Sequence, residues 1–156
     1  MLAHAASLLA GSPQVATQYI DGDLRDASVI LRAAGTLDFT RPVALMLVRI
    51  LHLIQDSEEP HGIVAGLMDA LPSGSYLAIS HPASDINASQ AEAQRRYNER
   101  VSTPQTLRAR DEVTRFFEGL DLVPPGVVYV HAWRPDPGGR PPEGGVSAYG
   151  GVARKP

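Results

Sequence analysis

The run PVALMLV, residues 42–48, constrains the fold more than any other stretch of the chain. It is apolar without alternation, whereas a strand with one face in water alternates apolar and polar side chains. An uninterrupted run of this length is typical of a strand that is covered on both faces in a parallel sheet. We therefore expect residues 42–48 to form a central strand.

The segments around this run repeat the pattern of an α/β domain. Residues 60–74 place apolar side chains on one helical stripe, which predicts a helix, and residues 75–81 read as the next buried strand. Upstream, residues 15–20 form a β-prone run, and residues 26–34 predict a helix with Asp26 as its N-cap. The order of strand, helix and strand predicts an α/β fold with right-handed crossovers.

The C-terminal half predicts two more helices. The first is a polar helix after residue 88, and the second spans residues 103–120, with Thr103 as its N-cap and Pro104 at its first position. The amphipathic spacing of residues 2–10 predicts a further helix at the start of the chain.

Two strands are predicted to end the chain, over residues 126–133 and 146–154. Between them lies a Pro/Gly-rich loop, residues 134–145. The length of 156 residues and the hydrophobic content of 44% predict one domain over residues 1–156.

Composition disfavours several classes of partner. A net charge of −3 with scattered arginines gives no general attraction to nucleic acid. Arg49 and His52 interrupt the longest apolar run, so no membrane helix is expected. The chain has no cysteine and its histidines lack metal-ligand spacing, so we expect no metal site and infer a cytoplasmic protein.

Four segments together carry a resemblance to a known family. They are YIDGDLRDASVIL, TLDFTRPVALMLVRILHLI, EEPHGIVAGLMDALPSGSYLAISH and RFFEGLDLVPPGVVYVHAWRP. In these segments and in the order of its elements, nearly the whole chain resembles an actinobacterial family of S-adenosylmethionine-dependent methyltransferases. The resemblance implies the Rossmann-like class I methyltransferase sheet, mostly parallel, with strand order 3-2-1-4-5-7-6 and an antiparallel last strand.

The resemblance also implies a departure from that fold. Class I methyltransferases begin with a strand and a glycine-rich loop that holds the methionine end of the cofactor, followed by a second strand. Neither strand nor loop has a counterpart in this sequence. We therefore expect an N-terminally truncated sheet without its first two strands, in which residues 15–20 would be strand three.

The candidate cofactor residues follow two of the predicted strands, because ligands of parallel α/β sheets bind beyond the carboxyl ends of the strands. By resemblance, S-adenosylmethionine is the cofactor, Asp23 accepts a hydrogen bond from the adenine amino group, and the backbone amide of Leu24 meets the ring. Asp21 lies beside them in the same acidic turn. His52, after the central strand, would either contact the methionine end or be a histidine that is satisfied at a strand end. An Asx turn that feeds the next helix remains the structural alternative for this turn.

The acceptor side offers two candidates. His81 ends the strand over residues 75–81 and could act as a general base, or it could bond a backbone carbonyl and only pack. Tyr97, on the predicted polar helix, lies where class I methyltransferases often build a substrate lid. A small-molecule methyl acceptor is expected.

Two other functions stay open at this point. The chain could be a non-catalytic remnant of a methyltransferase that acts as an interaction or dimerisation module, with its open sheet paired to another chain. A homo-oligomer is one form of such pairing. A hydrolase that uses Ser80, His81 and Asp85 has the right residue types but no supporting motif.

Overall fold

The fold is a small mixed sheet with helices packed on one of its faces. It is taken from a computed structural model that describes residues 17–85, 88–138 and 147–156. The helix predicted over residues 2–10 therefore lies outside the described residues. The helices are α1 (Ala27–Ala33), α2 (Pro60–Asp69), α3 (Ala88–Asn98) and α4 (Arg110–Thr114), and the strands are β1 (Ala44–Val48), β2 (Tyr76–Pro82), β3 (Asp121–Leu122), β4 (Val128–Tyr129) and β5 (Ala148–Arg154).

The sheet has the strand order β1-β2-β5-β3, and β4 pairs with β5 beside β3. Strands β1 and β2 are parallel, with Ala44 opposite Tyr76, and α2 crosses between them. Strand β5 runs antiparallel to β2, β3 and β4. The predicted α/β class, the parallel pair and the antiparallel last strand are confirmed, and the order matches the 4-5-7-6 half of the expected sheet.

One face of the sheet forms the core. Leu45 and Leu47 of β1 lie in register with Leu77 and Ile79 of β2, and all four side chains face the same way. This covered face packs against α2 and α4 in one apolar cluster, whose helical members include Val64, Met68, Val113 and Phe116.

The opposite face of β1 is exposed. The burial of this strand alternates, and the side chains of Met46 and Val48 are 65% and 59% exposed. In the described sheet β1 is an end strand and pairs only with β2. The expectation of a central strand covered on both faces is therefore not met by the residues that the structure describes.

The acidic turn leads into α1 as predicted. The Asp26 carboxylate accepts a hydrogen bond from the Val29 amide at 3.1 Å and caps the helix. The strand predicted over residues 15–20 is wrong for residues 17–20, which have no strand conformation. A strand needs a neighbour for its backbone hydrogen bonds, and among the described residues none pairs with this segment.

The helix predicted over residues 103–120 begins later than expected. Thr103 is not its N-cap, since α4 starts at Arg110 and continues as a 3₁₀ turn over Arg115–Phe117. Upstream of it the backbone is extended and pairs with the sheet end: the Thr106 amide donates to His52 O at 2.8 Å, and the Ser84 amide donates to Arg108 O at 3.1 Å. These bonds take the place of the helical ones, and the segment that they hold brings the Arg108 side chain into the interior.

The strand predicted over residues 126–133 is mostly a turn. Only Val128–Tyr129 pair with β5, and a 3₁₀ turn over Val130–Ala132 follows. Residues 134–138 of the predicted Pro/Gly-rich loop have neither helix nor strand, and residues 139–145 lie outside the described residues. No helix in the described part of the chain is long and apolar enough to span a bilayer.

Candidate active site

Two loops meet at the carboxyl end of β1 and line an open cavity of about 370 Å³. One wall is the acidic turn, residues 21–25, and the other is formed by Ile50, Leu53 and Ile54, just after β1. The two walls are far apart in sequence. The turn after β1, residues 50–58, lies beside the start of α1 and so brings them together. Ligand pockets in proteins typically measure about 300–1,000 Å³, so the cavity is large enough for one ring system.

Asp23 is held in a fixed orientation at this cavity. Its Oδ1 accepts from the backbone amide of Arg25 at 2.9 Å and from Arg25 Nη1 at 3.1 Å, while its Oδ2 has only a longer contact to Nη1, at 3.3 Å. These hydrogen bonds, the backbone one first, lower the pKa of Asp23. The side chain is therefore a charged acceptor at neutral pH, with lone pairs left on Oδ2.

The predicted neighbours of Asp23 share its cavity. Asp21 and Leu24 both line the wall that the acidic turn forms, and Leu24 also packs against the core cluster. The structure thus brings together three of the four residues predicted to contact the cofactor.

His52 lies in the turn that carries the second wall, between Ile50 and Leu53, but it does not line the cavity. It is part of the 3₁₀ turn Leu51–Leu53, its ring is buried, and its Nδ1 has no hydrogen-bond partner in the part of the chain that the structure describes. Burial, followed by the charges of Arg49 and Arg108, lowers the pKa of His52, so the ring is neutral. Because this nitrogen is itself buried, His52 does not present it to the cavity.

His81 is completely buried at the end of β2. Its Nδ1 lies 2.8 Å from the carbonyl oxygen of Pro82, and its Nε2 lies 2.8 Å from Arg108 Nη1. A carbonyl and a guanidinium can only accept and donate, respectively, so Nδ1 carries the proton and Nε2 is the acceptor. Burial is the main reason that the pKa of His81 falls to about 4, and the ring is neutral near pH 7.

Arg108 is the site residue that sequence reasoning missed. Its guanidinium is 1% exposed and donates to the carbonyl oxygens of Leu51 and Ile54, both at 3.0 Å, and to Asp56 Oδ1 at 2.6 Å. It also packs over the ring of Phe116, 5.5 Å from the centroid. The turn after β1 is therefore built around one buried cation, and no spacing in LRARDEV distinguishes this arginine from its neighbours.

Ser80, His81 and Asp85 do not form a triad. Consecutive residues of a strand point to opposite faces, and Ser80 Oγ accepts from the Arg49 amide at 3.2 Å. Asp85 instead accepts from the Tyr149 hydroxyl at 2.9 Å and from the Arg110 amide at 3.2 Å. Burial and this carboxylate raise the pKa of Tyr149 to about 12. The hydrolase interpretation is wrong.

Tyr97 lies on an exposed helix. Its side chain is 47% exposed on α3, in a surface hollow formed by residues of the same helix and Arg100. A contact with an acceptor remains a prediction for this residue. In the described residues, no three side chains of the types that bind metals come together.

The comparisons with known proteins agree with this fold. Two solved structures cover 99% of the chain: a DUF574 family protein from Streptomyces avermitilis, with 42% identity and a TM-score of 0.89, and a candidate methyltransferase from Thermobifida fusca, with 32% identity and a TM-score of 0.83. An O-methyltransferase family protein from Burkholderia thailandensis covers 88% of the chain, and 35% of its own length is matched; at 11% identity and a TM-score of 0.57 it shares the fold alone. No curated protein matches.

The chain belongs to a family of S-adenosyl methyltransferases, whose model matches residues 1–156. Membership implies S-adenosylmethionine as the cofactor and confirms the resemblance read from the sequence. The chain spans about three fifths of the length of its two most similar structures described above, 61% and 59%.

Proposed function

We propose that this chain holds the adenosine part of S-adenosylmethionine in the cavity between residues 21–25 and 50–54, and serves methyl transfer to a small-molecule acceptor. The observation that carries the proposal is the meeting of a charged acceptor with an apolar wall. Asp23 faces Ile50 and Leu53 across one cavity of suitable size. A purine needs both, since its faces are apolar and its amino group is a donor.

Each cavity residue has a separate part in the proposal. Asp23 accepts from the adenine amino group through Oδ2, the backbone amide of Leu24 meets the ring, and Asp21 lies at the rim. The contact of His52 with the methionine end stays a prediction, because its ring is buried away from the cavity and would have to move to reach the cofactor. The bound cofactor would supply an activated methyl group on its sulfonium, and the protein's task is to position that group against the acceptor.

His81 fits its second interpretation, a buried ring that packs and bonds a backbone carbonyl, better than the general base. For Nε2 to take a proton from an acceptor, the Arg108 guanidinium would first have to leave it. With a pKa of about 4 the ring is also a weak base near pH 7. We propose that His81 and Arg108 together fix the turn after β1, and that the acceptor binds nearby, on the side of Tyr97.

Binding of two nucleosides tests the adenine assignment. The 156-residue chain would be titrated calorimetrically with S-adenosylhomocysteine and with S-inosylhomocysteine, which carries a 6-oxo group in place of the amino group. Hydrogen bonds to charged groups contribute about 1.5–3 kcal/mol, so we expect a preference of roughly 10- to 100-fold for the adenosine compound. Asp23→Asn should remove or reverse that preference, because an amide can donate to the oxo group.

Asp38→Asn is the matched control. Asp38 is also an exposed aspartate that fixes its own turn, through hydrogen bonds from the Thr40 amide and hydroxyl, but it lies outside the cavity. It should leave both affinities unchanged. An Asp23→Asn protein with an unaltered preference would contradict the adenine assignment, and an unmodified chain that binds neither compound would contradict the proposed function.

The interaction module stays a second candidate because of one observation. The open face of β1 exposes Met46 and Val48, and apolar side chains on an exposed strand favour pairing with another surface. Sedimentation equilibrium distinguishes the two functions together with the titration. Self-association without nucleoside binding would support the module, and a monomer that binds S-adenosylhomocysteine would support the methyltransferase.

A further inference from the structure

Arg25 is the residue that connects the two walls of the cavity. It belongs to the acidic turn, and its side chain reaches across to the turn after β1, 33 residues further along the chain. We propose that Arg25 is a positioning residue that holds the Asp23 carboxylate and the opposite wall in one geometry, and thereby sets selectivity for adenine. This inference rests on the proposed function.

On its own wall Arg25 orients the carboxylate. Its backbone amide and Nη1 both donate to Asp23 Oδ1, at 2.9 and 3.1 Å. A guanidinium is planar and presents its donors in a fixed fork, so a carboxylate bonded to it cannot rotate freely. The less engaged oxygen, Oδ2, is thus the one left for a ligand donor.

On the opposite wall Arg25 bonds two groups of the turn after β1. Its Nη2 donates to the carbonyl oxygen of Leu53 at 3.2 Å, and its Nε donates to Glu58 Oε1 at 2.6 Å. Glu58 Oε2 in turn accepts from the backbone amide of Gln55 at 2.6 Å. The apolar wall is therefore tied to the acidic wall through one side chain.

Arg25 links the two walls of the cavity through several hydrogen bonds, and their number is what makes the link strong. An isolated ion pair at a surface contributes little to stability, and the Arg25 side chain is 41% exposed. Here one fork bonds two carboxylates and a carbonyl, and the contact with Arg25 is the first cause that lowers the pKa of Glu58. Such a network contributes more to the geometry of the cavity walls than to the stability of the fold.

Two replacements separate the geometry from the charge. Arg25→Gln removes the cation, whereas Arg25→Lys keeps the charge but loses the fork. In the same calorimetric titration, we expect both variants to bind S-adenosylhomocysteine roughly tenfold more weakly and S-inosylhomocysteine almost unchanged, so that the preference shrinks roughly tenfold. Arg32→Gln is the control, because Arg32 is an arginine of α1 that bonds Ser28 on its own helix.

A structural role alone would give a different result. If Arg25 only stabilised the turn, both affinities would fall by the same factor and the preference would remain, and full preference in Arg25→Lys would show that charge suffices. Either result overturns the inference. The outcome is separable from the proposed function, because Asp23→Asn tests the adenine contact with Arg25 intact.

A measurement without ligand tests the link between the walls. Amide hydrogen exchange at Gln55 and Glu58 should be roughly tenfold faster in Arg25→Gln than in the unmodified chain, since their turn loses its tie to the acidic wall. Arg32→Gln should leave that exchange unchanged. Unaltered exchange in Arg25→Gln would overturn the inference even if the chain binds nucleosides as proposed.

Discussion

The two faces of β1 are equally apolar in sequence but have different surroundings. On the covered face, Leu45 and Leu47 pack with Leu77 against α2 and α4. On the open face, Met46 and Val48 remain more than half exposed, although they are as apolar as their neighbours. Alternate residues of one strand thus differ in exposure, because the described helices α2 and α4 pack on the covered side.

This difference teaches how to read an unbroken apolar run. The run PVALMLV predicts two covered faces, and the described residues supply a cover for one. Burying a side chain such as Val or Met fully is worth about 1.5–3 kcal/mol relative to exposure. A further surface that covered the open face of β1 would therefore stabilise the protein by burying these side chains.

The largest effect is expected beneath the covered face, at Arg108. Arg108→Met should destabilise the fold by about 3–5 kcal/mol, because it leaves two buried carbonyls, His81 Nε2 and Asp56 without their donor. Urea unfolding followed by circular dichroism measures the change. Arg49→Met is the control at an exposed arginine, and a loss as small as the control's would show that the turn after β1 does not depend on this cation.

The comparison of the faces can be tested within one strand. Leu47→Ala should destabilise the fold by about 2–5 kcal/mol, since Leu47 is buried in the cluster. Met46→Ala, one residue earlier on the open face, should change the free energy of unfolding by less than about 0.5 kcal/mol. Comparable losses at both positions in urea unfolding would mean that the open face is covered in solution.

The buried His81 makes the free energy of unfolding depend on pH. Its folded pKa of about 4 lies below the ordinary value of 6.5, so the unfolded chain binds the proton more readily between these values. Stability from this group is complete above pH 6.5 and falls by up to about 3 kcal/mol as the pH drops to 4. In His81→Gln, unfolding measured against pH should lack this decline, and an identical pH profile would refute the assignment of a neutral, buried ring.

The smallest effect is expected at Gly151 of β5. A Cβ at this position would lie 3.0 Å from Phe117 Cζ and 3.0 Å from Val127 Cγ2 on the covered face. Gly151→Ala should therefore destabilise the fold by about 1–3 kcal/mol through overpacking. Gly66→Ala, in α2 with no atom within 4 Å of the added Cβ, should be neutral or stabilising in the same urea unfolding assay.

Local patterns account for most of the elements. Periodicity predicted α1, α2, β1, β2 and β5 within a few residues, and Asp26 caps α1 because its short acceptor side chain precedes a helical run. The helix expected from residue 103 failed, because tertiary bonds from residues 106 and 108 to the sheet end compete with helical ones. A local pattern carries no record of such distant partners.

The candidate site divides in the same way. The family resemblance pointed to Asp23 and Leu24, with Asp21 beside them, and these three residues do line one cavity. The roles of Arg25 and Arg108 could not be read from the chain, since each bonds groups more than 25 residues away. The hydrogen bonds of these two side chains form only when the fold places the turn after β1 beside them.

The sequence by itself determined the α/β class, the parallel pair of strands and the acidic turn that ends in the Asp26 cap, because these depend on residue spacing and local capping. Only the tertiary structure decided which face of β1 is covered, which histidine nitrogen carries the proton and which arginines hold the cavity together. These properties depend on partners brought from elsewhere in the chain, where burial and hydrogen-bond geometry set the free energy of each group.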